Sequence, residues 1–156
     1  MWYASGMATK NVKAGQQAWS SYRRGYGAVS QALEQELLGQ CELSLAWYEA
    51  LAYVHDAGEQ RVRMQGLAGA VGLSPSGLTR MIDRMEAEKL LRRSAAKDDR
   101  RGVNVALTAA GSKALARAMP VYQRGVQAHF AAKLAERDLD ALQRAGAKLA
   151  GGTSGA

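Results

Sequence analysis

Five polar side chains between residues 74 and 84 carry the chemistry of this sequence. Ser74, Ser76, Thr79, Arg80 and Arg84 lie in LSPSGLTRMIDRMEAEKLL, residues 73–91. Hydroxyls exchange single hydrogen bonds, and guanidinium groups grip phosphates or guanine edges with paired ones. That is chemistry for holding a polyanion rather than for making or breaking bonds. Ser74 suits a helix N-cap, and Pro75 suits the first helical position, where its missing N–H costs nothing. Leu78, Ile82 and Met85 recur at i, i+4 and i+7, so one face is buried. The other face presents Ser76, Thr79, Arg80, Asp83 and Arg84, and Gly77 keeps the first turn free of bulk. Small hydroxyls at the helix tip, followed by two arginines one turn apart, fit a helix that enters a DNA major groove tip-first. The alternative is an ordinary amphipathic surface helix, and the flanking sequence decides between the two.

Upstream, Met64–Val71 has helical spacing and is joined to the Ser74 helix by Gly72-Leu73, which makes a helix-turn-helix. This first helix is weak: Gly66 and Gly69 lower its propensity, and Gln65 is a poor cap. Arg61–Arg63 reads as a very short extended piece. Downstream the period changes to two. Leu90–Arg93 reads as one strand, and Val103, Val105 and Leu107 alternate with Asn104 and Ala106 as another. The charged loop SAAKDDRRG joins them into a hairpin, so the expected unit is a winged helix-turn-helix with a two-stranded β wing. Asp83 is read as a structural partner of a wing arginine rather than a reader of bases.

Long helices flank this unit. Trp19, Tyr22, Tyr26, Val29, Leu33 and Leu37 form an apolar stripe over 18–38, ended by Gly39, with Cys41 in the connection that follows. Ser44 caps a helix over 45–56. Thr108 caps a long helix over 109–134, with Pro120 inside it, and a last helix spans 136–149. Residues 1–16 and 151–156 read as flexible tails around a single domain at 17–150. Within that domain, 44–108 forms the DNA-binding part, and 17–39 with 109–150 forms the dimerisation helices.

Eleven of the 21 basic residues and five of the 14 acidic ones fall within 61–113, so that stretch carries +6 of the formal +7. Charge concentrated around one helix is the footprint expected of a nucleic-acid partner. The chain has one cysteine, no apolar run of membrane length and no secretory leader pattern, which together fit a cytoplasmic protein. Phosphate-loop, nucleophile-elbow and zincin motifs are absent, and His55 and His129 are too far apart to bind zinc with one cysteine, so no enzyme, cofactor or metal is expected. A non-specific architectural nucleic-acid-binding protein would explain the charge but not a capped helix-turn-helix with a wing.

The stretches LSLAWYEALAYV (43–54), RMQGLAGAVGLSPSGLTRMIDRMEAEKLLRR (63–93) and DDRRGVNVALTAAG (98–111) resemble the MarR (multiple-antibiotic-resistance regulator) family of bacterial winged-helix proteins. Asp99, Arg101, Leu107 and Thr108 occupy the places of that family's wing pattern, D-x-R followed by L-T. The resemblance implies a homodimer held by the first and last two helices, and a ligand-responsive regulator, more often a repressor, acting on double-stranded DNA. It implies that Arg101 reaches a minor groove, that Asp99 steadies the wing and that Arg100 contacts phosphate. Ser74, Ser76, Gly77, Thr79, Arg80 and Arg84 then contact the major groove or its phosphates. It also implies an effector cleft between dimer helices and winged helix, which Trp19, Arg23, Trp47, Tyr48, His55 and Asp56 are placed to line for a small aromatic or phenolic anion.

Overall fold

The computed structural model describes residues 3–58, 62–95 and 103–151. Among these residues six α-helices and three short strands follow one another: α1 (Tyr3–Cys41), α2 (Leu45–Asp56), β1 (Val62–Arg63), α3 (Met64–Ala70), α4 (Pro75–Ala87), β2 (Leu91–Ala95), β3 (Val103–Leu107), α5 (Ala109–His129) and α6 (Glu136–Gly151). A 3₁₀ turn, Ala131–Lys133, separates the last two helices. The chain divides into two compact units, one of residues 34–125 and one of the segments up to Leu33 and from Val126 onward.

In the 34–125 unit each helix is stopped or started by an identifiable device. The Ser44 hydroxyl accepts from the Trp47 amide at 3.2 Å, and the Glu34 carboxylate takes the Leu45 amide, so two free donors of α2 are satisfied. Gly39 does not end α1, contrary to the expectation from sequence. The helix runs on to Cys41, which is 3% exposed, and turns at Glu42 with φ 54°. Arg117 Nη2 donates to the Cys41 carbonyl at 2.7 Å, so tertiary packing supplies the extra turn. Gln65 is not the cap of α3 either: that position is Arg63, and no side chain caps the helix. Helix α3 closes at Gly72, φ 64°, where the Leu73 amide reaches back to Ala68 O at 3.2 Å.

Helix α4 packs on α3 and β2, with Leu78, Ile82 and Met85 at most 1% exposed. The sheet is antiparallel in the order β1-β3-β2. Its third strand, β1, adds to the expected two-stranded wing by pairing Val62 with Val105. Leu91 pairs with Leu107 at the base of the hairpin and Ala95 with Val103 at its far end. Leu37, Leu51, Leu67, Leu91, Val105 and Leu115 complete the core of this unit.

The other unit is helical. Trp19, Tyr22 and Tyr26 stack along α1 with ring centroids 5.9 and 6.3 Å apart, all more than half exposed. An apolar groove of about 690 Å³ is lined by Tyr22, Tyr26, Val29, Phe130, Leu142 and Leu149, among others. The helix expected over 109–134 stops at His129, ahead of the 3₁₀ turn. Among the described residues no helix is long and apolar enough to cross a membrane.

One backbone junction tolerates no side chain. A Cβ on Gly111 would overlap the Leu90 carbonyl oxygen, lie 3.0 Å from its carbon and 3.2 Å from Leu107 Cδ2. By contrast, Gly39 is a helical glycine with open space around it. Urea unfolding should therefore show Gly111→Ala destabilised by at least about 3 kcal/mol. Gly39→Ala should gain about 0.5–1 kcal/mol from helix propensity. A Gly111→Ala variant as stable as the parent would contradict the close approach.

Candidate nucleic-acid interface

Helix α4 owes its start to Ser74, whose hydroxyl accepts from the Gly77 amide at 3.2 Å and lies 3.3 Å from the Ser76 hydroxyl. Ser74, Ser76, Thr79, Arg80 and Arg84 are all exposed, and Gly77 is half-buried behind them. The helix therefore offers solvent a hydroxyl-bearing tip and, one turn further on, two guanidinium groups. The Thr79 hydroxyl donates to Pro75 O at 2.9 Å, which leaves its oxygen lone pairs to accept from a partner. Among the described residues neither Arg80 nor Arg84 forms an ion pair.

Asp83 sits on the same helix, and its Oδ1 lies 2.6 Å from Arg93 Nη1 on β2. The same nitrogen lies 3.1 Å from Glu86 Oε2, and Arg93 Nη2 donates to Thr79 O at 3.2 Å. The Arg93 amide donates to Glu86 Oε1 at 3.1 Å. Arg93 was not singled out from the sequence, although strand alternation carried the signal. It shares a strand face with Leu91, which is 1% exposed, and a cation on the core side of a sheet requires partners.

Helix α4 ends as β2 begins. Lys89 adopts φ 59°, and the Leu90 amide returns to Met85 O at 2.8 Å. The Leu90 carbonyl then accepts from the Thr108 amide at 3.1 Å, while the Thr108 hydroxyl donates to the Lys89 carbonyl at 2.5 Å, with Leu90 O further off at 3.2 Å. The Thr108 hydroxyl also accepts from the Gly111 amide at 3.0 Å, which caps α5. Asp99, Arg100 and Arg101, the wing-tip candidates, lie outside the described residues.

The effector candidates fall in both units. In the helical unit, Trp19 is 59% exposed and stacks on Tyr22, and Arg23 is exposed on the next turn of α1. In the 34–125 unit Trp47 is half-buried, and His55 and Asp56 are exposed at the end of α2. Tyr48 is buried, stacked on Tyr122 with centroids 4.3 Å apart. Burial first, then the Tyr122 phenol and the Asp56 carboxylate, push its pKa up to about 12. Burial and the nearby Glu34 carboxylate also raise Glu49. Among the described residues no three His, Cys, Asp or Glu side chains gather as a metal site.

A model of the MarR family matches residues 43–103. Among solved structures, the chain is 32% identical to AbsC, a MarR family transcriptional regulator from Streptomyces coelicolor, over 86% of this chain and 90% of that one, with a TM-score of 0.78. It is 23% identical to Sco3205, a MarR family regulator from the same organism solved in complex with DNA, over 90% and 88% of the two chains, with a TM-score of 0.81. It is 24% identical to Bordetella bronchiseptica BpsR, whose DNA binding is regulated by 6-hydroxynicotinic acid, over 86% and 98%, with a TM-score of 0.74. No curated protein sequence matches the chain.

The raised Tyr48 pKa gives a pH dependence with a definite sign. The unfolded chain gives up this proton near the ordinary value of 10.0, and the folded chain only near 12. Stability from this group is complete below pH 10 and drains away as pH rises toward 12. Unfolding free energies measured across that range should fall more steeply in the parent than in Tyr48→Phe. Parallel curves would mean that Tyr48 ionises like a free phenol.

Proposed function

Because the chain belongs to the MarR family of winged-helix transcriptional regulators, we propose that it is a ligand-responsive repressor which binds a pseudo-palindromic operator as a homodimer. Members of this family bind DNA and are not enzymes. The observation that carries the reading is the exposed face of α4: a capped, hydroxyl-bearing tip followed by Arg80 and Arg84, neither in an ion pair among the described residues. A helix tip of this kind places short side chains against base edges and phosphates, and an arginine one turn in reaches guanine O6 and N7.

The homodimer is supported by the helical unit. A stacked aromatic stripe and an apolar groove exposed on a single chain form the kind of surface that a second copy covers. Two copies related by a two-fold axis present two recognition helices, so the operator is an inverted repeat with half-sites about one helical turn apart. On the family pattern, Arg101 reaches into the adjacent minor groove, Arg100 contacts phosphate and Asp99 steadies the wing. The effector is a small aromatic or phenolic anion, with exposed Arg23 as its counter-charge beside Trp19 in the helical unit. It acts by favouring the conformation that does not fit DNA, since a ligand with equal affinity for both conformations shifts nothing.

Selection from random duplexes with the purified protein should return an inverted repeat. On that duplex Arg80→Ala should lose about 5- to 150-fold in affinity, the worth of one good base contact, while scrambled duplex loses far less. Equal loss on both would make Arg80 a phosphate contact, and recovery of no preferred sequence would favour a non-specific architectural protein. Sedimentation equilibrium at micromolar concentration should return the mass of two chains. Arg23→Ala should bind DNA as the parent does but release it less readily when challenged with aromatic acids.

A further inference from the structure

We propose that Arg93 is a positioning residue for DNA binding: it captures the Asp83 carboxylate and so leaves Arg80 uncompensated for its contact with DNA. The proposal rests on the reading of α4 as the DNA-contacting helix. On a helix, residues i and i+3 are neighbours, so the cation nearest Asp83 along α4 is Arg80. An Arg80–Asp83 pair would have to break on binding, and would leave a bare carboxylate facing phosphates. The structure shows another pairing. Arg93 Nη1 lies 2.6 Å from Asp83 Oδ1 and 3.1 Å from Glu86 Oε2. One guanidinium thus holds two carboxylates that would otherwise repel each other as an i, i+3 pair.

The remaining contacts fix this arrangement in place. Arg93 Nη2 donates to the carbonyl of Thr79, the residue before Arg80, at 3.2 Å, and the Arg93 amide holds the other Glu86 oxygen at 3.1 Å. Three side-chain bonds to three acceptors need the planar fork of an arginine, which an ammonium does not reproduce. The Arg93 side chain is 25% exposed while Asp83 is 55% exposed, so the cation sits on the inner side of the pair and the carboxylate faces outward. Without its partner, Asp83 would present a negative charge beside Arg80 at the DNA-facing surface.

The test is a double-mutant cycle on the duplex selected by the parent protein, with affinity read by fluorescence anisotropy and stability by urea unfolding. Arg93→Ala should weaken binding about tenfold, within the range of coupling between neighbouring charges, and Asp83→Asn alone should change it little. In the Arg93→Ala background, Asp83→Asn should recover most of the lost affinity without recovering the lost stability. Arg93→Gln keeps much of the stem and a donor, and repeats the comparison in a background closer to the parent fold. A double variant that binds no better than the Arg93 single variant would overturn the proposal, because a purely structural Arg93 and one that touches phosphate directly both predict that result. Parent-like affinity in Arg80→Ala would remove the reading of α4, and the proposal with it.

Discussion

The backbone around Leu90 is the constraint on which the winged-helix part of this molecule depends. Its amide closes α4 on Met85, its carbonyl receives the Thr108 amide, and the Thr108 hydroxyl donates to the carbonyl of the preceding Lys89. The chain leaves this point as β2, returns as β3, and enters α5 against the same carbonyl, where Gly111 has no room for a side chain. Helix α4, the β2–β3 hairpin and α5 therefore share one anchor of a few residues. Such hydrogen bonds are individually worth about 1 kcal/mol net, but a buried carbonyl left without them would cost more. The anchor fixes where α4 stops relative to the hairpin, and hence the spacing between the arginines of the helix and the strands of the wing.

Electrostatics then decides what that spacing is for. The 61–113 stretch carries most of the net positive charge, yet five acidic residues lie within it. Asp83 and Glu86 turn toward β2, where Arg93 takes both, while Arg80 and Arg84 face solvent. The carboxylates of this helix are compensated by a cation from the strand, so among the described residues its arginines are the charges left for a polyanion. Exposed arginines without carboxylate partners gain little from folding, whereas in a phosphate-lined groove they release condensed counterions.

What could be read from the sequence was whatever is local. Ser74-Pro75 marks a helix start because a cap acts within one turn, and the switch from Leu78, Ile82 and Met85 to Val103, Val105 and Leu107 marks helix and strand because side-chain direction follows backbone period. Thr108 was legible as a cap for the same reason. Helix α1 begins at Tyr3, inside the stretch 1–16 that read as a tail. The other features that escaped depend on distant partners. Gly39 looked like a helix stop, but Arg117, 76 residues from Cys41, holds the helix for another turn. The need for glycine at 111 arises only when Leu90 arrives beside it. The extended piece at 61–63 was legible, but its place as a third strand was not, because Val62 pairs only where β3 offers an edge. The wing tip, with Asp99, Arg100 and Arg101, rests on its resemblance to the family pattern.

The central claim is that α4 enters a major groove as one of a symmetric pair. Footprinting of the selected duplex, with dimethyl sulfate for guanine N7 and hydroxyl radical for the sugars, addresses it most directly. The account predicts two stretches of protected guanine N7 centred about one helical turn apart, each flanked by protected sugars on both strands. Sugar protection running evenly along the duplex, with every guanine N7 still reactive, would contradict it.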